Sequence, residues 1–276
     1  MSSQFVGVFS IGATLDRGLR LFKLSAAKVM PLILLPFVFG IGAALSFIQG
    51  LGKGDYHSSM PLIVTGVILN LIGCSWSWVV CIRYLHKLSV GESPTTSQML
   101  RLAGPADLLL LITFFFWGIA GIIGLFLLII PYLYIINIIN VGLILAVVER
   151  QYFVNGMMRT FKLVKGRFWK TLVVNLLSGL IAYIPVMIGM ILMVVIMVAV
   201  QAFRGSSGSE SAMGPAFLAI FYAVYFGLIS LSFPVIYSVQ LIHYHSLRCE
   251  KESFDIESKI DELGNSPVDN PASQLN

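Results

Sequence analysis

Residues 149–170 read ERQYFVNGMMRTFKLVKGRFWK, and the arrangement of the whole chain turns on them. They form a long polar interruption between 41 uncharged residues, Leu108–Val148, and the apolar run from Thr171 to Val200. Six of them are basic: Arg150, Arg159, Lys162, Lys165, Arg167 and Lys170. At helical spacing, Met157, Phe161, Val164 and Phe168 share one face, while Arg159 and Lys162 lie on another with Lys165 beside them. A helix of this kind lies in the plane of a membrane surface, its stems buried and its charges toward anionic headgroups. The spacing predicts such a surface helix over 155–170, and its charge assigns it to the cytoplasmic side. Anionic phospholipids of that leaflet are the expected partner.

Composition agrees with a lipid environment. Mean hydropathy is +0.89, 57% of residues are apolar and only 11% are charged. The net charge of +5 sits in short segments beside apolar runs, which speaks for membrane orientation and against nucleic acid. Cys74, Cys81 and Cys249 are scattered and suggest neither a disulfide framework nor a zinc motif. The first long apolar run begins near Val29, which does not fit a cleavable leader.

Working outward from the opening stretch gives an all-α, polytopic membrane protein of about six transmembrane helices. The spans are expected at 29–48, 60–82, 108–129, 132–148, 171–200 and 215–240. Leu108–Val148 must hold two of them, because one helix of that length would be about 60 Å long, twice the hydrocarbon thickness. The turn is expected at Ile130, Pro131 and Tyr132. Further surface helices are expected at 10–28 and 96–104. Residues 1–255 then make one membrane domain, and 256–276 a polar, partly disordered cytoplasmic tail. In this arrangement 16 of the 18 lysines and arginines face the cytoplasm, leaving Lys53 and Arg204 outside. Both termini are cytoplasmic. RLFKL at 20–24 matches RTFKL at 159–163, and MLRLAG at 99–104 is a weaker echo, which points to internal pseudo-repeats.

Three stretches carry a resemblance: LDRGLRLFKLSAAKVMPLILL (15–35), VVERQYFVNGMMRTFKLVKGRFWKTL (147–172) and YHSLRCEKESFDIE (244–257). Together they resemble the membrane domain found in glycerophosphodiester phosphodiesterases and a family of multi-pass bacterial inner-membrane proteins of similar architecture. The resemblance implies six helical spans and an inner-membrane location, but no activity, and no catalytic barrel is expected here. After Tyr244, where that family tends to have an acid, this chain has His245.

Few residues bear chemistry. Glu149 ends the fourth span as either a ligand-binding carboxylate or, more ordinarily, a structural partner for Arg159. Asn70, Asn137, Asn140 and Asn175 lie in spans, where amides more often bond between helices than line a cavity. His245 and Cys249 have the i,i+4 spacing of a metal pair, with His243 and Cys81 as helpers, but a structural zinc site needs four ligands, so neither metal nor cofactor is expected. Trp169 fits an interfacial anchor, whereas Trp76, Trp78 and Trp117 fall deeper and pack. No nucleotide loop, nucleophile elbow or carboxylate pair is visible, so an enzyme ranks last. The leading expectation is a non-catalytic inner-membrane protein that assembles with a membrane partner or with itself. The alternative is a carrier for a lipid-like or small amphiphilic substrate, working between the pseudo-repeats at Pro185, Pro234 and the asparagines.

Overall fold

The computed structural model describes residues 5–53, 56–101, 129–204 and 228–252, with seven helical positions between 110 and 122. All regular structure among them is helical. We number the helices α1 (Ile11–Lys53), α2 (Tyr56–Ser89), α3 (Thr96–Leu100), α4 (Ile129–Glu149), α5 (Phe153–Val164), α6 (Phe168–Arg204) and α7 (228–252). The predicted span 215–240 is described from 228 onward. Most of 108–129, the end of 96–104 and the tail at 256–276 lie outside the described residues.

The surface helix expected at 10–28 and the span at 29–48 are one continuous helix of 43 residues, about 65 Å long. No glycine pair or capping residue interrupts Ala26–Met30, so the helical ladder carries through. The face that packs inward is not the most apolar one. Ile11, Leu15, Leu19, Phe22 and Ala26 are only half-buried, whereas Thr14, Gly18, Leu21, Ser25 and Val29 are buried. Small residues on that face let another backbone come close. A Cβ at Gly18 would stand 2.6 Å from the Val239 Cα, which marks the crossing of α1 and α7.

Contacts fix the running directions. Lys28 lies over the Tyr84 ring at 5.7 Å, so α1 and α2 form an antiparallel hairpin. Phe9 N donates to Ser246 Oγ at 3.0 Å, and with the Gly18–Val239 crossing this sets α1 antiparallel to α7. On α2, Trp78 meets Phe233 and Tyr237, and His86 meets His245, so α2 and α7 run the same way. On α6, Thr171 meets His243 and Gly189 meets Leu228, so α6 and α7 are antiparallel. Leu21, Val80, Leu85, Ile144, Leu145 and Leu241 fill the core where α1, α2, α4 and α7 converge.

Two expectations around the opening stretch are corrected. Ile130, Pro131 and Tyr132 do not form a turn: all three lie within the helix α4. The surface helix does not reach residue 170. It ends at Val164, Gly166 takes a left-handed φ of 84°, and Arg167 N closes onto Val164 O at 2.9 Å. Phe168 and Lys170 therefore open α6.

α5 also folds back along α4 instead of continuing beyond it. A Cβ at Gly142, in the middle of α4, would stand 2.7 Å from Trp117 and 3.1 Å from Thr160 on α5. Gly156 of α5 closes the other side of the same buried indole. The inward face of α5 is Gly156, Thr160, Leu163 and Val164, so that of the Met157–Phe161–Val164–Phe168 stripe only Val164 is buried. Val154, Met158 and Phe161 point outward as a second, exposed apolar stripe.

Among the described residues, two helical stretches are long and apolar enough to cross a membrane, Tyr132–Glu149 and Phe168–Ile196. Only 17% of the second is buried, and Leu176, Leu180, Ile184, Met187, Ile191 and Val195 are exposed along it. An apolar face of that length is unstable in water and suits lipid.

Candidate functional site

Polar side chains gather where the C-terminal ends of α4 and α7 meet α5 and the start of α6. The backbone leaves α4 through Arg150 at φ 55° and enters α5 through Phe153 at φ 51°. Both values are left-handed, a costly conformation for a bulky aromatic. This sharp reversal brings Arg159 back to Glu149, with Nε 3.5 Å from Oε2. The Tyr244 hydroxyl donates to Glu149 Oε1 at 2.6 Å, joining α7 to α4. Arg159 also pairs with Glu252 at 2.9 Å, and Arg248 Nε meets both oxygens of Glu252 at 2.9 Å. Beside them Glu250 is held by Arg167 and by Lys170, the latter at 3.6 Å. Burial, reinforced by the neighbouring carboxylate, pushes the Tyr244 hydroxyl pKa well above the usual tyrosine value. Glu252 is well exposed, so its pairs contribute little, whereas Glu149 is mostly buried and its partners matter more.

Three histidines stand one to two turns along. His86 Nδ1 lies 3.4 Å from His245 Nε2, with the rings stacked at 5.3 Å. Ser89 Oγ is 3.3 Å from the same His245 nitrogen. The Ser89 hydroxyl donates its proton to His86 O at 2.7 Å, so toward His245 its oxygen is an acceptor and Nε2 is the donor. Burial holds His245 at about 4, helped by His86 and Arg248, and lowers His86 as well. His243 is fully buried against α6 and lowered to about 3 by burial, then by Lys170.

Deeper between α4, α6 and α7 runs a chain of amides. Gln240 Nε2 donates to Asn175 Oδ1, Asn175 Nδ2 donates to Asn137 Oδ1, and Asn137 Nδ2 donates to Leu133 O at 2.8 Å. Gln240 Nε2 also reaches Ser178 Oγ at 3.5 Å. Every amide points its donor the same way, and donation from one end makes each carbonyl a better acceptor for the next.

Of the residues singled out in the sequence, Glu149 and Arg159 meet, as do Asn137 and Asn175. Asn140 is half-buried on α4 outside this chain, and Lys162 is exposed on α5. Trp169 is 74% exposed at the start of α6, edge-on to Phe168 at 5.3 Å. His245 turns to His86 and Ser89 on α2, and Cys249 is half-exposed. Among the described residues, no group of three or more histidines, cysteines or acids could hold a metal ion.

Tyr244, Gln240, Thr171 and Ser89 were not legible as site residues. Gln240 does line up with His243, Leu247 and Glu250 at three- and four-residue steps, which is a signal that could have found it. An open pocket of about 560 Å³ lies over the reversal, lined by Arg150, Gln151, Tyr152, Phe153 and Asn155. Comparison with known proteins finds no family model, no curated protein and no solved structure that matches the chain.

Proposed function

We propose that the chain is a non-catalytic, multi-pass protein of the bacterial inner membrane, with six spans and both termini cytoplasmic, that works by assembling with a membrane partner or a second copy. The carrying observation is the gathering of charge at one end of the helices. The running directions bring together the N-terminal half of α1, the C-terminal ends of α2, α4 and α7, and the start of α6. These segments carry the cations that the positive-inside pattern assigns to one compartment. The acids there, Glu149, Glu250 and Glu252, are engaged by arginine, lysine and tyrosine, a bracing arrangement more than a reactive one. The outward stripe Val154–Met158–Phe161, next to exposed Lys162 and Lys165, supports docking of α5 on an anionic leaflet. The likeness of RLFKL to RTFKL supports pseudo-repeats, although the first lies inside an unbroken α1 and the second just before the break at Gly166.

The test is chemical cross-linking in intact membranes, followed by purification in mild detergent. A defined cross-linked species that survives dilution of the protein in the membrane is expected. A chain recovered only as a monomer overturns the reading.

The amide chain Gln240–Asn175–Asn137 favours one rival, a carrier with a polar path between α4, α6 and α7. Purified protein in vesicles would then speed the exchange of a fluorescent phospholipid between leaflets, and Asn175→Leu would abolish the effect.

A further inference from the structure

Among the described residues, two buried polar atoms on one face of α7 have no protein partner: Gln240 Oε1 and His243 Nδ1. Gln240 is 1% exposed and His243 0%, so bulk water does not reach either. They are one helical turn apart, and both side chains face α6. The surrounding bonds fix what each atom is. Thr171 gives its hydroxyl proton to Arg167 O at 3.1 Å, so its oxygen accepts from His243 Nε2 at 3.0 Å. His243 is neutral, which leaves Nδ1 as a bare acceptor. Ser178 gives its proton to Asn175 O at 3.0 Å, so its oxygen also accepts, and Gln240 Nε2 directs its two hydrogens to Ser178 and Asn175. Reversing the Gln240 amide would set its carbonyl against the Asn175 and Ser178 oxygens. Gln240 Oε1 is therefore also an acceptor, strengthened by the amide chain behind it.

We infer that Gln240 Oε1 and His243 Nδ1 hold a buried water molecule between α6 and α7, which donates one hydrogen to each. Water suits the site because it is small, uncharged and carries two donors. Buried waters occupy places of this kind, bonded to polar groups that the chain leaves open. A cation is disfavoured by Lys170, whose charge acts on His243, and a hydroxyl group would satisfy only one of the two acceptors. The site extends the polar seam from Glu250 and Lys170 at the rim, through His243, to Asn137. It does not rest on either functional reading above.

The test uses the full chain, labelled with 15N-histidine, in phosphatidylethanolamine–phosphatidylglycerol vesicles near neutral pH. His243 is identified by the signal that disappears in His243→Gln. The expected spectrum has Nε2 protonated, Nδ1 shifted away from the position of a bare nitrogen, and magnetisation reaching Nδ1 from water protons. Gln240→Leu removes the second acceptor and is expected to lower that transfer at least about twofold, since a buried water needs more than one partner. A bare Nδ1 without transfer, an imidazolium signal, or transfer from lipid protons alone overturns the proposal. The wild-type spectrum decides this even where a variant fails to fold.

Discussion

The Tyr244 hydroxyl and the Glu149 carboxylate, 95 residues apart in the chain, meet at 2.6 Å. The bond ties the end of α4 to α7, and Arg159 completes the carboxylate's shell from α5. Removing the hydroxyl leaves a mostly buried carboxylate with one partner fewer. Tyr244→Phe is expected to destabilise the protein by about 1.5–3 kcal/mol, the range for hydrogen bonds to charged groups. Glu149→Gln in the same background should add less than it does alone. Thermal unfolding in detergent across this double-mutant cycle measures the coupling, and simple additivity would contradict the bond.

Acid should loosen the α2–α7 contact. Burial lowers His86 and holds His245 at about 4, whereas in the unfolded chain both titrate near the ordinary histidine value of about 6.5. Between those values the unfolded state binds more protons, so stability rises with pH. The contribution is complete above about pH 6.5 and is lost as pH falls toward 4, amounting to roughly 3 kcal/mol at most for His245. His245→Gln should flatten the melting temperature across this window. An unchanged slope would rule out the histidine pair as its source.

The helix crossing at Gly18 admits no side chain. A Cβ there meets the Val239 backbone at 2.6 Å, so Gly18→Ala must push α1 and α7 apart, costing on the order of 1–3 kcal/mol. Gly12→Ala, where a Cβ meets nothing within 4 Å, should be neutral or stabilising by up to about 1 kcal/mol. Melting temperatures moving in the same direction for both variants would refute the crossing.

Charge reversal of α5 tests orientation. Arg159→Glu, Lys162→Glu and Lys165→Glu together replace three of the six cations between residues 149 and 170. A cysteine placed at Lys53 or Arg204 is expected to react with an impermeant thiol reagent in the parent protein and to lose part of that reactivity in the triple variant. Identical labelling of the two would count against the proposed topology.

Helix type was the most legible part of the sequence, because uncharged runs of this length leave few alternatives to helices in lipid. Boundaries were harder to read. Nothing in Ala26–Met30 marks a division, and α1 runs straight through it. Gly166 was present as a stop signal, yet the basic pattern continues past it to Lys170 and hides the break. The inward faces of α1 and α5 are not the ones that apolar periodicity picks out, for a common reason. Periodicity counts apolar side chains, whereas these helices pack through Gly18, Ser25, Gly156 and Thr160. Where lipid is available to take the large side chains, small residues go to helix contacts. The pairing of Glu149 with Arg159 was within reach because both lie in one short stretch. Tyr244 and Ser89 were not, since their partners come from remote helices and neither spacing nor composition announces them.

The reversal at Arg150–Phe153 has a consequence for biogenesis. Glu149 and Arg159 leave the ribosome together, but Tyr244, Arg248 and Glu252 follow roughly 90 residues later, some 5–20 s at ordinary elongation rates. During that interval α5 has α4, the Trp117 indole and its own outward stripe to rest on. Its seat becomes permanent when the closing turns of α7 emerge, which makes that helix the keystone of assembly.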